Sequence, residues 1–171
     1  MIKSKLYKVK HKNDYKLLEF TKNDDILKRI KDYGHRNCKK EIKNSWIIAT
    51  LNNCDMGYAY FHTEIIKTKN ENNEIIETEK YRPCAYICLS EYSQHEIHIM
   101  LVCSLYTTEH LGTKLMEKVF EYAKNKGYSI ISLDSTNEKN TKFYSKKGFV
   151  VTPINKKNIY DTTTYMVKKI V

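Results

Sequence analysis

The sequence predicts a mixed α/β fold, and three observations lead to this prediction. Residues 83–92 and 96–103 are rich in β-branched and aromatic residues and are separated by three residues, which is typical of two antiparallel strands. After them the spacing of apolar residues changes from two to about 3.6, which indicates a helix. Strand and helix patterns then alternate to the end of the chain.

The N-terminal half contains one predicted helix and two further predicted strands. Four residues share one helical face after the turn-like segment TKNDD and predict a helix over residues 25–33. Residues 45–51 and 56–66 are rich in Ile, Tyr, Phe, Thr and Trp, and we predict two strands joined by a hairpin turn at residues 52–55. Residues 67–80 are polar without periodicity and predict an exposed hairpin loop.

The clearest helical pattern follows the second antiparallel strand. Apolar residues from Leu111 to Ala123 form one stripe at helical spacing, and Gly127 stands where the helix would end. The remaining predicted elements are a strand over residues 128–133, a helix over residues 137–147 closed by Gly148, and strands over residues 149–152 and 162–167.

The composition is that of a globular chain. Of the 171 residues, 41% are hydrophobic and 29% are charged, a length and balance that suit one domain over residues 1–171. No apolar run approaches the roughly 18 residues of a membrane span, and no apolar stretch follows the basic N-terminus as in a secretory signal. We therefore expect no membrane association and a cytoplasmic, reducing location.

The net charge of +10 would suit an anionic ligand such as a nucleotide cofactor or a nucleic acid. The lysines, however, are spread along the whole chain among asparagines and isoleucines, which is typical of a solvated surface. Nucleic acid is therefore not expected as a partner.

Cysteines and histidines give no metal signature. The five cysteines are an odd number without a CxxC pair, which favours buried free thiols over a disulfide framework or a zinc site. His95 and His98 are three residues apart on a predicted strand and would point to opposite faces. We expect no metal site.

Residues 96–149 resemble the acetyl-CoA core of the GNAT superfamily of N-acetyltransferases. The better-preserved motif is Asn, two residues, Ala, two residues, an apolar residue and Tyr, with Gly-Phe close by. Its positions are filled here by Asn137, Asn140, Phe143, Tyr144, Gly148 and Phe149, so that only the Ala is replaced. The resemblance implies a twisted, mostly antiparallel central sheet flanked by helices.

This motif implies two functional side chains. By resemblance, Asn137 would hydrogen-bond the pantetheine arm of acetyl-CoA, and Tyr144 would protonate the thiolate of CoA as it leaves. A phenol can supply that proton without holding a charge near the cofactor. The alternative is that Phe143 and Tyr144 only pack the helix onto the sheet.

The second motif, the family's pyrophosphate loop, is degenerate. It reads Arg or Gln, two residues, Gly, one residue, then Gly or Ala; aligned on Gly112, the first two signature positions are Thr107 and His110. A loop that leads into a helix N-terminus still offers free backbone N–H groups to a diphosphate. The resemblance assigns this contact to Thr107, Thr108, Glu109, His110, Leu111, Gly112 and Thr113.

Two residues of this loop oppose binding. His110 would need a positive φ where the family uses glycine, which strains the backbone. The Glu109 carboxylate, about 6 Å from a phosphate charge at an effective dielectric of about 20, would cost roughly 2–3 kcal/mol. Lys114 or Lys118 on the following helix could compensate for it.

The strand before this loop resembles the family's central splayed strand. The backbone of Leu101, Val102 and Cys103 would then pair with the pantetheine amides. Six residues before Val102, where one branch of the family has its general base, stands Glu96; His98 lies on the same face and is an alternative base or a relay partner. A solvated Glu and a cross-strand His are the alternative interpretation.

We therefore expect an enzyme that transfers the acetyl group of acetyl-CoA directly to a primary amine in a ternary complex. The acceptor, a small molecule or a peptide, is not identified by any motif, and a homodimer is left open. The alternative is a GNAT-fold binding or regulatory module that binds CoA weakly or not at all.

Overall fold

A computed structural model describes residues 14–33, 38, 42–105, 109–153 and 163–170, together with the backbone of residues 6–11. The elements of this described part are, in chain order, β1 (Leu6–His11), β2 (Lys16–Thr21), α1 (Asp25–Tyr33), α2 (Asn44–Asn52), β3 (Met56–Lys69), β4 (Ile75–Glu91), β5 (Glu96–Ser104), α3 (Leu111–Lys126), β6 (Ile130–Ser135), α4 (Glu138–Ser145), β7 (Val150–Val151) and β8 (Thr164–Lys169). None of the described helices is both long and apolar enough to cross a bilayer.

One sheet joins all the described strands. Its order is β1-β3-β4-β5-β6-β8-β7, and β2 also pairs with β3, beside the stretch that β1 leaves unpaired. All neighbours are antiparallel except β5 and β6, which are parallel. The predicted mixed α/β class with a mostly antiparallel sheet is confirmed.

Helices cover both faces of this sheet. On one face the apolar stripe of α3, which includes Leu115 and Val119, packs on Ile97 and Ile99 of β5. Phe143 and Tyr144 of α4 pack against the same cluster. On the other face α1 and α2 bury a second cluster against β3, β4 and the C-terminal half of β5. The sheet is therefore sandwiched between two apolar layers, and β5 contributes to both.

The helices α1, α3 and α4 lie where the sequence predicts them. The helix α3 ends at Gly127, whose φ of 81° and whose N–H bond to the Lys124 carbonyl form a left-handed cap. Gly148, with φ 88°, follows α4 in the same way. The strands β3, β4, β5, β6, β7 and β8 correspond to predicted strands, although Thr162, the predicted start of the last one, lies outside the described residues.

The predicted strand over residues 45–51 is wrong, because these residues lie in α2. Ile47, Thr50 and Leu51, three and four residues apart, are buried, whereas Trp46 and Ile48 are exposed. That pattern is helical, but its content of aromatic and β-branched residues suggested a strand. The predicted hairpin turn at residues 52–55 is consequently a connection from α2 to β3.

The predicted loop over residues 67–80 is mostly strand. β3 continues to Lys69 and β4 starts at Ile75, so that the turn is confined to residues 70–74. The Asn70 side chain accepts hydrogen bonds from two turn N–H groups, and Asn73 has a φ of 63°. Charged cross-strand pairs such as Lys67 and Glu77 extend the ladder into solvent. Because these residues are mostly polar on both faces, the sequence shows no alternation of apolar residues that would predict a strand.

Two strands, β1 and β2, were not predicted. In β2 only Phe20 is buried, and the neighbouring residues are exposed or half-buried. Such short segments form because they pair with the long β3, a contact between distant parts of the chain that local periodicity does not report.

The prediction of buried free thiols holds for three of the cysteines, Cys54, Cys84 and Cys88. It is wrong for Cys38 and Cys103, which form a disulfide with a Cα–Cα distance of 4.9 Å. The two residues are 65 positions apart, so no local spacing indicates the pair. The bond ties the segment between α1 and α2 to β5.

Replacing Gly57 with Ala should destabilise the sheet. A Cβ at this position would lie 2.1 Å from the Ile87 carbonyl oxygen and 2.5 Å from the Phe20 ring. Because backbone on a neighbouring strand cannot move aside, we expect a loss of about 1–3 kcal/mol or more. Thermal unfolding measures this loss as a lower Tm. Gly112→Ala is the control, because nothing lies within 4 Å of its added Cβ; equal Tm values for the two variants would contradict the prediction.

Candidate functional site

The most distinctive feature of the sheet is an opening between its two parallel strands. β5 and β6 pair only from Glu96 opposite Ile130 to Ile99 opposite Leu133. Beyond this point β5 remains paired with β4 as far as Ser104, while β6 remains paired with β8. Residues 100–104 of β5 therefore present an edge that no longer pairs with β6.

A β-bulge lies at the start of this opening. Cys88 of β4 faces Leu101, whereas the next residue, Leu89, faces Ile99, so Met100 is the extra residue. The bulge reverses the alternation of side chains along β5. Ile99 packs on the α3 side, and Leu101 then packs on the α1 and α2 side.

The predicted pantetheine-binding residues line this edge. Leu101 and Cys103 are buried toward α1 and α2, and Val102 packs toward α3. Their backbone has β4 on one side and the opening on the other. An extended ligand with amide groups can pair with such an edge as an added strand.

The helix α3 begins a few residues after this edge. Its first hydrogen bond runs from the Lys114 N–H to the His110 carbonyl at 3.1 Å. The N–H groups of Leu111, Gly112 and Thr113 therefore precede the helical ladder, and its first turn carries no acidic residue. Such N–H groups, together with the helix dipole, favour an anion.

The backbone of His110 adopts the left-handed conformation that the degenerate motif requires, with φ 52° and ψ 27°. The strain predicted for a non-glycine residue at this position is therefore present. Gly112 is beside open space, since nothing lies within 4 Å of where a Cβ would be. Leu111, fully buried, anchors the helix start to the core.

The remaining loop residues are only partly placed. Thr107 and Thr108 lie outside the described residues. Glu109 is half-buried near Tyr15: burial raises the pKa of Tyr15, and the Glu109 charge adds to that increase. Its charge is therefore close enough to Tyr15 to act on the protonation of that phenol.

Asn137 caps α4. Its Oδ1 accepts a hydrogen bond from the Asn140 N–H at 2.9 Å, which is sufficient to explain why a capping residue stands there. This bond occupies the side-chain oxygen and leaves the amide nitrogen as the group that could donate to a ligand.

The ring of Tyr144 packs between two aromatic neighbours. Ring centroids lie 5.2 Å from Phe143 and 6.0 Å from Phe149. Burial raises the pKa of Tyr144 to about 12, so its hydroxyl is protonated at neutral pH. Within the described part of the chain, this hydroxyl has no hydrogen-bond partner. It is a protonated donor on the α3 side of the sheet. The side chain of Val102 lies on the same side.

The opposite face of β5 carries the predicted base. Glu96 and His98 alternate with Ile97 and Ile99, which pack toward α3, so the two polar side chains point away from α3. Three residues of the neighbouring strands share this face. Ser132 of β6 is opposite His98, Asp134 lies two residues further along β6, and Tyr165 of β8 is opposite Asp134. The five side chains are Glu96, His98, Ser132, Asp134 and Tyr165.

These side chains form one connected polar cluster. Glu96 Oε1 accepts hydrogen bonds from Ser132 Oγ at 2.5 Å and from the Tyr165 hydroxyl at 2.8 Å. His98 Nδ1 lies 2.9 Å from Ser132 Oγ, and His98 Nε2 lies 3.6 Å from Asp134 Oδ2. The second distance is too long for a hydrogen bond, so that contact is electrostatic.

The cluster is covered by an aromatic ring but stays open at one end. Tyr92 stacks on His98 with ring centroids 4.3 Å apart and planes 4° apart. His98 is 4% exposed, and burial lowers its pKa, an effect that Asp134 and Glu96 partly offset. The Asp134 side chain, 44% exposed, reaches solvent.

Sequence reasoning missed three members of this cluster, Ser132, Asp134 and Tyr165. The alternation of small polar and apolar residues in the segment SLDS indicates that one face of β6 is polar. No sequence signal reports that β6 lies beside β5, or that β8 adds its tyrosine.

A cavity of about 470 Å³ on α4 provides a further candidate contact for an anion. It is lined by Glu138, Lys139, Lys142, Phe143 and Lys146. Lys142 already pairs with Glu138 at 2.7 Å, which leaves the other two lysines as the free cations among the lining residues. A larger groove, between β2 and α3, is lined by both charge signs and lies away from the opening.

A strand edge facing an opening, followed by a helix N-terminus, defines an α/β protein that can hold an extended ligand with an anionic end. The acetyltransferase (GNAT) family model matches residues 32–149, which is more than half of the chain. The chain therefore belongs to the GNAT family of acetyltransferases. No curated protein matches it by sequence.

Solved structures of low sequence identity share the fold. Ard1 from Thermoplasma volcanium is 15% identical, with a TM-score of 0.61 over 92% of this chain and 98% of that one. The ribosomal-protein-S18-alanine N-acetyltransferase from Escherichia coli is 13% identical, with a TM-score of 0.61 over 91% and 94%. The PaiA N-acetyltransferase from Thermoplasma acidophilum, in complex with coenzyme A, is 15% identical, with a TM-score of 0.60 over 91% and 99%.

The lowered pKa of His98 should make stability depend on pH. The unfolded chain protonates this histidine below about pH 6.5, whereas the folded chain resists protonation. The unfolded state then binds more protons, so stability is present above pH 6.5 and is lost as the pH falls through the folded pKa.

We therefore expect His98→Gln to lose less Tm than the wild type between pH 7.5 and pH 5, measured by thermal unfolding. His95→Gln is the matched control, because this exposed histidine undergoes the same chemical change. A His98→Gln profile parallel to that of the wild type would contradict the assignment.

Proposed function

We propose that the chain acts as one domain, residues 1–171, that transfers the acetyl group of acetyl-CoA to a primary amine in a ternary complex. The observation that carries this proposal is the parting of β5 and β6 beyond Ile99 and Leu133, close to the free N-terminus of α3. The first feature suits the amide-containing arm of acetyl-CoA and the second suits its diphosphate.

The residues present fit this substrate despite the degenerate loop. Backbone N–H groups of Leu111, Gly112 and Thr113 do not depend on side-chain identity, and the open space at Gly112 lets a phosphate approach the backbone. Lys139 and Lys146 add cationic charge on α4. The helix dipole contributes about 0.3–1 kcal/mol and does not depend on side chains. We therefore expect the absence of an arginine at position 107 to weaken binding of the diphosphate without abolishing it.

Glu96 is the proposed general base. It lies on the face of β5 opposite α3, with its Oε1 fixed by two hydrogen bonds and its Oε2 without a partner within the described residues. Deprotonating a lysine amine at pH 7 costs roughly 4–5 kcal/mol, and an α-amine costs about 1 kcal/mol. A lysine-like acceptor therefore depends more on this base.

Tyr144 is the proposed acid for the leaving thiolate. With a pKa of about 12, it is a weaker acid than a thiol, whose pKa is about 8.5. Complete proton transfer from Tyr144 to the released thiolate would therefore cost about 5 kcal/mol. Tyr144 donates a hydrogen bond as negative charge develops on sulfur, and the proton transfer is completed as solvent returns a proton to the phenolate.

Glu96, the open edge of β5 and Tyr144 each have one role in the transfer. Glu96 takes a proton from the ammonium form of the acceptor and releases it to solvent, and the neutral amine nitrogen then forms a bond to the carbonyl carbon. The nitrogen gives its second proton to Glu96 as the C–S bond breaks. A backbone N–H of the open edge between residues 100 and 104 stabilises the negative oxygen of the carbonyl. Tyr144 supplies the proton of the free thiol and is reprotonated from solvent.

Binding of acetyl-CoA is tested by thermal shift on the full chain. At about 100 times its Kd, a ligand should stabilise the protein by about 2.7 kcal/mol. Gly112→Ala should fold with a wild-type Tm but bind acetyl-CoA about tenfold or more weakly, because the Cβ occupies the open space beside the N–H groups.

Asn125→Ala, an exposed change near the other end of α3, is the matched control for this variant and should keep the full thermal shift. A wild-type protein that neither acetyl-CoA nor CoA stabilises would contradict the enzyme assignment and favour the non-catalytic module.

Tyr144→Phe should lower kcat about 10- to 100-fold with little change in KM for acetyl-CoA, since it removes only a hydrogen-bond donor to a developing charge. The measurement is release of free thiol across a library of amines. Tyr122→Phe, a tyrosine of α3 that faces Tyr58 instead of the opening, is the control. An unchanged kcat for Tyr144→Phe would leave this tyrosine with a packing role only.

A further inference from the structure

The hydrogen bonds of the polar cluster on the acceptor face lead to one acceptor, the Glu96 carboxylate. Ser132 and Tyr165 both donate to the same oxygen of Glu96, Oε1. A serine hydroxyl has one hydrogen, and Ser132 gives it to Glu96, so in the contact between His98 Nδ1 and Ser132 Oγ the ring nitrogen is the donor. Two donors therefore point at Glu96, and His98 donates to one of them, Ser132.

Burial makes this arrangement rigid. Ser132 is fully buried, and His98 is held between the strands under the ring of Tyr92. The Tyr165 hydroxyl is protonated, because burial raises its pKa. It therefore remains available as a hydrogen-bond donor to Glu96.

The order Ser132, His98 and Asp134 superficially matches a nucleophilic triad. Two observations oppose that interpretation. The Ser132 hydroxyl has no solvent exposure and gives its hydrogen to Glu96, so it is not poised to attack a thioester. His98 and Asp134 are 3.6 Å apart, beyond hydrogen-bond range.

We propose that Ser132 and Tyr165 are positioning residues for Glu96, and that His98 orients the Ser132 hydroxyl. They hold Oε1 in place, so that Oε2 is directed to the acceptor amine. This inference rests on the proposed function of Glu96 as the base.

A double-mutant cycle separates this role from a structural one. Ser132→Ala and Tyr165→Phe are made in the wild type and in a Glu96→Gln background. The acceptor is an α-amine, which needs less help from a base, so that Glu96→Gln retains a measurable rate. In the wild type we expect kcat/KM to fall about 10- to 100-fold for each variant.

In the Glu96→Gln background the same two changes should alter kcat/KM less than about twofold, because the base that Ser132 and Tyr165 position has been removed. Ser132→Thr keeps the hydroxyl and should restore most of the rate. Tyr122→Phe removes a tyrosine hydroxyl on α3, where the ring faces Tyr58, and should leave the rate unchanged. Equal losses in both backgrounds would overturn the proposal. Release of CoA without any acceptor amine, lost in Ser132→Ala, would also overturn it, because Ser132 would then be a nucleophile.

A second readout does not require activity. In protein with ¹³C-labelled glutamate, the carboxyl carbon of Glu96, assigned by its absence in Glu96→Gln, is observed at neutral pH. Ser132→Ala and Tyr165→Phe should each change its chemical shift, because each variant removes a hydrogen bond to Oε1. Tyr122→Phe should leave it unchanged, because this tyrosine faces Tyr58 on the other side of the sheet.

The two readouts distinguish the two ways of being wrong. A wild type that is inactive with every amine refutes the proposed function, yet a changed chemical shift in both variants still supports the contact of Ser132 and Tyr165 with Oε1. An unchanged chemical shift in both variants overturns the positioning role, whatever the activity.

Discussion

The parting of β5 from β6 is the constraint on which the rest of the site depends. β5 is held by β4 to Ser104 and β6 is held by β8 to Ser135, so neither strand can swing across to close the opening without breaking its own ladder. The backbone groups left on the open edge require other partners. In the proposed function an extended ligand with amides supplies them, and the N-terminus of α3 then meets the charged end of the same ligand.

In the proposed function, the bulge at Met100 explains how one strand could serve both substrates. Before it, Glu96 and His98 point away from α3; after it, the face toward α3 is occupied by Val102. The acceptor cluster and the acetyl-CoA edge are therefore consecutive along β5, on either side of a single extra residue. Strict alternation without a bulge would have placed Val102 on the same face as Glu96.

Local patterns predicted the elements that carry the site, but not its contacts. The stripe of α3, the pair β4 and β5, and the positive φ of His110 follow from periodicity and from the glycine pattern of the loop. The partners of Glu96 do not, because Ser132 and Tyr165 reach it only through the pairing of β5, β6 and β8. The mistaken strand at α2 has a different cause: its aromatic and β-branched content outweighed the helical spacing of its three buried residues.

The two faces of the sheet also divide the proton chemistry. With a pKa of about 12, Tyr144 stays protonated over the whole neutral range, so the leaving-group side contributes no titration there. His98, whose pKa is lowered, titrates below about pH 6.5, and it lies on the acceptor side beside Glu96. In the proposed mechanism, a dependence of the chemical step on pH between about 5 and 8 is then expected from the acceptor face or from the amine itself. Comparing acceptors of different basicity separates these two sources, because only the contribution of the amine moves with its own pKa.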